Sequence, residues 1–188
     1  MNPMPYSHVF EGLWLLLAAY WIATAFGNKR AVYRSDPRKR LAALVLVAAL
    51  VLAFRAYPGV FDRRIFPCNE AASWIGMALC AAGVAFAIWA RRTLGANWSA
   101  NPSIKEGHEL IQCGPYRLAR HPIYTGLLVA VLGTQLGGGR VRELVILVGS
   151  LVVAAKKIQV EEGLMVRQFP EAYPQYRNRT KALIPFVL

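Results

Sequence analysis

The chain has 188 residues, room for one compact domain, with 56% hydrophobic and 17% charged residues and a mean hydropathy of +0.34. A soluble domain usually carries about 25% charge, so this composition excludes a disordered chain and argues against a water-soluble one. The net charge of +12 could signal nucleic acid, but the basic residues alternate with long apolar runs, which points to a lipid bilayer instead. Cys68, Cys80 and Cys113 are odd in number and lack CxxC spacing, so neither a disulfide framework nor a metal site is expected.

Five apolar runs follow one another along the chain. Residues 9–26 are interrupted only by Glu11, and residues 71–90 contain no charge, so both approach the ~20 residues that span a bilayer core. Residues 41–54 are shorter, though that run could extend past Arg55 if the side chain snorkels. Residues 123–136 and 144–155 are shorter again and are separated by Gly137-Gly138-Gly139, the pattern of a helical hairpin. The first run is followed, not preceded, by Lys29 and Arg30, the reverse of a cleavable signal peptide, so a retained helix is expected.

Basic residues orient the runs. Seventeen lie in the segments after the first, third and fifth runs, and five lie in the segments after the second and fourth. Because positive residues stay cytoplasmic, the expectation is an all-α integral membrane protein with five transmembrane helices, N-terminus outside and C-terminus cytoplasmic. It reads as a single membrane domain over 1–188, with three helices in 1–90 and a helical hairpin and C-terminal cap in 91–188. The helices carry almost no ionisable groups, which argues against an ion pathway.

Two long cytoplasmic segments hold the chemistry-bearing residue types. In the first, Gly114-Pro115 is a turn signal, and Pro122 suits the first turn of the fourth helix. His121 then sits at a helix entrance, either capping it or lying beside N–H donors that can bind an anion such as a carboxylate. Tyr124 could equally be a headgroup anchor. In the second segment, Lys157 and Glu161 share a face if the fifth helix continues that far. An ordinary surface ion pair is the competing explanation.

In order and spacing, His108-x-Leu110, Gly114-x-Tyr116, Arg120-His121-Pro122-x-Tyr124-x-Gly126, Glu161-Glu162 and the tail Phe169…Tyr173…Tyr176…Pro185 resemble the isoprenylcysteine carboxyl methyltransferase family. They are more loosely similar to the membrane phospholipid methyltransferases. The resemblance covers residues 97–185 and extends to the first three helices only as hydrophobic spans. It implies a methyltransferase dependent on S-adenosyl-L-methionine, with a cytoplasmic cofactor pocket formed by the C-terminal half. The family pattern would place His108, Glu109, Leu110, Ile111, Tyr116, His121, Pro122, Ile123, Tyr124 and Glu161 around the cofactor. Asn101 stands where the eukaryotic enzymes have a cofactor-contacting glutamine, and Lys157 where they have a substrate-binding arginine. Lysine keeps the charge and loses the bidentate fork.

In the implied reaction the sulfonium methyl is already activated and a carboxylate acceptor is already nucleophilic, so alignment and exclusion of water suffice. Lys157 or Arg120 would position the acceptor carboxylate, and Glu161 would meet the cofactor's ammonium or ribose. The helix entrance at His121 would suit the cofactor's carboxylate. The implied partners are the bilayer and a lipophilic small-molecule or prenylated acceptor, with no nucleic acid. The small size and the lysine at 157 resemble prokaryotic members, which implies a prokaryotic inner or cell membrane. A phospholipid amine or another hydrophobic small molecule is the alternative acceptor, and a non-catalytic membrane scaffold or small transporter the alternative role. Oligomeric state is not indicated.

Overall fold

A computed structural model describes residues 6–25, 37–66, 69–98 and 109–183. Its helices are α1 (Ser7–Ala25), α2 (Pro37–Ala56), the single turn α3 (Pro58–Phe61), α4 (Glu70–Leu94), α5 (Pro122–Gly138), α6 (Val141–Gln168) and α7 (Ala172–Arg179). Four of the five apolar runs lie wholly within a helix, and the first does over its described residues, 9–25. The fourth and fifth form the expected hairpin, turning at Gly139, whose φ of 63° is left-handed. α6 does continue through Lys157 and Glu161, well past its apolar stretch.

Helix ends follow local chemistry. Asn69 caps α4 by accepting the Ala72 N–H at 2.7 Å, and Glu70 opens the helix while Arg91 and Arg92 close it, matching the helix dipole. Pro122 is the first residue of α5, as its missing N–H favours.

The tightest packing in the protein is the seam between α4 and α5. Small residues recur at three- and four-residue intervals on both helices: Gly76, Cys80, Gly83 and Ala87 face Gly126, Ala130, Gly133 and Gly137. A Cβ on Gly83 would lie 2.5 Å from the Gly126 carbonyl oxygen, and one on Gly133 would lie 2.5 Å from the Gly76 oxygen. The backbones meet because nothing intervenes. α1 adds to this seam the stripe Phe10, Leu13, Trp14, Leu17 and Trp21, at helical spacing, and Trp14 Nε1 donates to Thr134 Oγ1 at 3.1 Å.

The outward surfaces are apolar. Leu15, Leu16 and Ile22 on α1, Val45, Leu46, Val47 and Leu52 on α2, and Leu151, Val152 and Val153 on α6 are all exposed. Water would not stabilise such a surface; hydrocarbon would. Two helical stretches, Ser7–Ala25 and Glu70–Asn97, are long and apolar enough to cross a membrane, and Val45–Ala56 and Pro122–Gly138 are apolar but shorter.

The connecting segments gather at two ends. At one, Arg64 pairs with Arg140 in an isolated antiparallel bridge: the Ile65 N–H donates to the Gly139 carbonyl at 2.7 Å and the Val141 N–H to that of Arg63 at 3.0 Å. At the other, Ala119 pairs with Lys181 in a parallel bridge, the Arg120 N–H donating to the Lys181 carbonyl and the His121 N–H to that of Ala182. Among the described residues, the bridges therefore join 63–65 with 139–141 at one end and 119–121 with 181–182 at the other. The tail is a folded cap, as its aromatics and prolines suggest.

Candidate active site

The bridge between Ala119 and Lys181 closes one end of the bundle over a cavity of about 360 Å³. Its polar side is built by the loop before α5, the first turn of α5 and the polar extension of α6, which contribute Glu109, Arg120, His121, Tyr124, Lys157 and Glu161. Leu110, Ile111, Tyr116 and Ile123 line it too. Every cofactor or acceptor residue expected from sequence therefore reaches this one cavity, with three exceptions. Pro122 is fully buried behind the lining and sets the helix start. Asn101 and His108 lie outside the described residues.

The geometry centres on two adjacent carboxylates. Tyr124 Oη donates to Glu161 Oε1 at 2.6 Å, and the Tyr124 ring stacks near His121 at 5.9 Å between centroids. His121 is only 8% exposed and lies between the pair, with Nδ1 3.5 Å from Glu161 Oε2 and Nε2 3.4 Å from Glu162 Oε1. Burial resists charging of the imidazole, but the hydrogen bonds and charges of both carboxylates outweigh it and raise its pKa above the ordinary value. The contact with His121 in turn holds the Glu162 carboxyl down at about 2, against the effect of burial and with the help of the Arg120 guanidinium.

Two expectations meet this geometry. An acceptor carboxylate was to be positioned by Lys157 or by Arg120. The Nε and Nη2 of Arg120 instead each lie 2.8 Å from Glu162, and Nη1 donates to the backbone carbonyls of Arg177 and Thr180. A guanidinium so engaged ties the tail to α6, and pulling it onto a substrate would strand Glu162. The entrance of α5 was to receive the cofactor's carboxylate or to be capped by His121. The His121 side chain makes no cap, its backbone N–H is taken by Ala182, and two carboxylates flank the ring. Lys157 is the remaining cavity-lining cation in the α6 segment.

Other residues of the site were given no role from sequence. Glu162, of the Glu161-Glu162 motif, does not line the cavity but organises the network from behind, and Tyr173 and Tyr176 of α7 close the cavity, Tyr176 Oη donating to the Tyr116 carbonyl at 2.6 Å. Burial pushes the Tyr176 phenol up to about 12, so it remains a donor. Trp21, Leu94, Trp98, Leu127, Leu164 and Met165 form apolar wall. The Phe169…Tyr173…Tyr176 spacing carried a signal for the α7 residues. Trp21 carried none, because its role depends on which face of α1 meets α4.

Against known proteins, a family profile described as phospholipid methyltransferase matches residues 71–172, just over half the chain. The chain is 33% identical over 119 residues to the nickel-cobalt-cadmium resistance protein NccN of Alcaligenes xylosoxydans xylosoxydans, covering 60% of this chain and 53% of that protein. It is 35% identical over 81 residues to the protein-S-isoprenylcysteine O-methyltransferase of Schizosaccharomyces pombe, covering 43% of this chain and 34% of that protein. It is 27% identical over 199 residues to a probable protein-S-isoprenylcysteine O-methyltransferase of Oryza sativa subsp. indica, covering 93% of this chain and 96% of that protein. The match thus spans about half the length of the first relative and a third of the second. Among solved structures, a eukaryotic intramembrane Ras methyltransferase, isoprenylcysteine carboxyl methyltransferase, superposes with a TM-score of 0.65 at 22% identity, covering 100% of this chain and 69% of that one. The profile match begins at Ala71 and so includes α4, which the motifs alone reached only as an apolar span. The resemblance read from the motifs is shown by these matches.

Proposed function

Because the chain belongs to the phospholipid methyltransferase family, we propose that it is an integral membrane methyltransferase. It would use S-adenosyl-L-methionine to methylate the carboxylate of a lipophilic, isoprenylcysteine-like acceptor. One observation carries the reading: residues of three separated motifs, around Tyr116, from Arg120 to Tyr124, and from Lys157 to Glu161, wall a single cavity at the end of an apolar bundle.

The cavity residues fit such a cofactor. A volume of about 360 Å³ falls in the range of small-molecule sites, roughly 300–1,000 Å³. Glu109 and Glu161 offer carboxylates to an ammonium or to ribose hydroxyls, and Tyr116 and Tyr124 offer aromatic faces to a cation. Among the described residues, Tyr173 Oη is a buried polar atom without a well-formed hydrogen bond, a group that a polar ligand would satisfy. When bound, the cofactor supplies a methyl group activated by the sulfonium charge.

The chain's own residues do the rest. Tyr124 holds the Glu161 carboxylate in one orientation at 2.6 Å, Lys157 four residues earlier draws the acceptor carboxylate onto the same face, and the leucine, isoleucine and tryptophan walls exclude water. Arg120 and Glu162 lock the tail over the site. An amine or phenol acceptor would need a proton acceptor, and His121 is a poor one because two carboxylates favour its charged form. That environment favours a carboxylate acceptor over a phospholipid amine, for which Glu161 would have to take the proton. Asn101 and His108 remain proposed cofactor contacts.

The proposed membrane arrangement has five crossings, the N-terminus outside and the site at the cytoplasmic end, in a prokaryotic inner or cell membrane. Cysteine labelling at positions 35 and 178 should find both on the cytoplasmic face; labelling on opposite faces would overturn the topology. The activity is tested by calorimetry with S-adenosyl-L-methionine, followed by labelled methyl transfer to a panel of prenylcysteines, phospholipids and hydrophobic phenols. Cofactor binding with transfer to prenylcysteine carboxylates supports the reading. Absence of binding heat supports the scaffold alternative.

A further inference from the structure

Arg91 takes no part in the site described above, yet it is one of the most enclosed charged side chains in the protein, at 3% exposure. Its guanidinium joins two helix ends: Nη1 donates to the Gly95 carbonyl at 2.8 Å, at the end of its own helix, and Nη2 to the Thr24 carbonyl at 2.8 Å, in the last turn of α1. Gly95 closes α4, where a cation is favoured, and its carbonyl also accepts the Trp98 N–H at 3.3 Å. Gly95, with φ of 54°, turns the chain so that Trp98 comes back over Arg91, whose guanidinium carbon lies 4.4 Å from the ring centroid. Trp98 meets Trp21 of α1 edge to face, with centroids 6.3 Å apart at 89°. Trp21 and Trp98 both line the cavity.

The cavity is chemically divided. Its charged groups come from α6, the start of α5 and the loop before it, whereas Trp21, Leu94, Trp98 and Leu127 form an apolar side drawn from α1, α4, the turn after α4, and α5 one turn deeper than Tyr124. Ile22, beside Trp21, is 65% exposed on the outer surface of the bundle. The apolar side therefore adjoins the lipid-facing surface.

We infer that Arg91 is a positioning residue for the acceptor: by fastening the end of α1 to the end of α4 and stacking on Trp98, it holds the two indoles as a wall against which the acceptor's hydrocarbon chain lies. This rests on the methyltransferase reading and adds a residue to it. Lysine cannot replace the arginine, since an ammonium lacks the planar fork that reaches two carbonyls while its face covers a ring. Losing the strap leaves α1 attached through its Phe10 and Leu17 packing but frees the Trp21 end to shift. A wall that shifts loses contact area with a long chain and little with a short one.

The test is direct binding, separate from turnover, of S-farnesylcysteine and of the single-isoprene S-prenylcysteine, with cofactor affinity measured in parallel. For Arg91→Lys the expected result is a Kd for the farnesyl compound raised about tenfold, the contact of one or two methylenes. The single-isoprene compound and the cofactor should change less than about twofold. Trp98→Leu should give the same pattern, and the double variant should be no worse than either single one, because the arginine acts through the indole. If Arg91→Lys does not fold, Trp98→Leu and Trp21→Leu carry the test alone. Equal weakening of both acceptors, or weakening of the cofactor alone, overturns the inference and leaves Arg91 a structural cap. If the unaltered protein binds neither cofactor nor prenylcysteine, the methyltransferase reading itself fails and this inference fails with it. Wild-type binding with an unaffected Arg91→Lys variant removes only the inference.

Discussion

The two ends of the bundle are built from the same parts. Each joins two segments through an isolated β-bridge, and each places a largely buried glutamate of α6 against arginines. At the end beside the helical turn, Glu143 accepts the Arg140 N–H at 2.6 Å, and Arg142 reaches both Glu143 and Asp62, the latter at 2.7 Å. At the other end Glu162 binds Arg120, but Glu161 beside it faces a cavity, held by Tyr124 and His121 and, among the described residues, by no arginine. A cavity of about 480 Å³ also adjoins Arg142 and Glu143, so what separates the two ends is neither charge nor burial nor space. It is a second carboxylate that no arginine takes up.

Four measurements break or sharpen that contrast, in decreasing order of effect. Both ends hang on the α4–α5 seam, so Gly133→Leu should erase the comparison by destabilising the whole bundle. A side chain there meets backbone atoms 2.5 Å away that cannot yield, and the cost should be at least about 3 kcal/mol, read as unfolding temperature in detergent. Wild-type unfolding would show that the two helices can separate without loss.

The contrast itself is read by crossing Glu161→Gln with Glu143→Gln. Removing a charged hydrogen-bonding group from the cofactor side should raise the cofactor Kd by roughly ten- to a hundredfold while changing stability little. Glu143→Gln should do the reverse: about 1–3 kcal/mol of stability lost and cofactor affinity retained. Equal effects at both ends would dissolve the distinction. His121→Ala belongs with the first of these, weakening the cofactor by about 1–3 kcal/mol if its ring contacts it.

Lys157→Ala should spare cofactor affinity and cut methyl transfer by about tenfold, the value of one charge-assisted contact with an anionic acceptor. Lys157→Arg should keep or improve turnover by restoring two-point recognition of a carboxylate. Parallel loss of affinity and turnover in the alanine variant would move Lys157 to the cofactor.

The smallest effect is on acid stability. The Glu162 pKa is depressed to about 2, so its contribution is complete above the ordinary carboxylate range and is lost as pH falls toward 2, on the order of 1 kcal/mol by pH 4. The His121 pKa is raised, so its contribution is complete below about 6.5 and is lost as pH climbs through the elevated value. The network should be most stable between about pH 4.5 and 6.5. Glu162→Gln should flatten the acid limb of the unfolding profile, and an unchanged profile would place the titration elsewhere.

Much of the fold was legible because a bilayer imposes a simple rule: a helix buried in hydrocarbon must be apolar along its length, and that length is visible in sequence. Residues 123–136 and 144–155 were each placed in the right helix, and the turn between them followed from three glycines. The recurring Gly76, Cys80, Gly83 and Ala87 against Gly126, Ala130, Gly133 and Gly137 is also a sequence pattern, but only the packed structure pairs the two stripes. Within the site, helical spacing put Lys157 and Glu161 on one face, and the family resemblance, not spacing, associated them with Tyr124. The ion pair of Arg120 with Glu162, forty-two residues away, was not legible because its sequence neighbours say nothing of that partner.

Composition, charge sidedness and motif spacing by themselves determined a helical chain with apolar surfaces, a bundle with two chemically different ends, and the family to which it belongs. These are properties of one segment at a time, set by the solvent that each segment must satisfy. Only the tertiary structure decided which carboxylate is consumed by an arginine and which faces the cavity, that the tail covers the entrance of α5, and that Trp21 of the first helix shares a wall with Trp98. Those outcomes depend on the approach of segments distant in sequence, and on the order in which buried polar groups find partners once they are there.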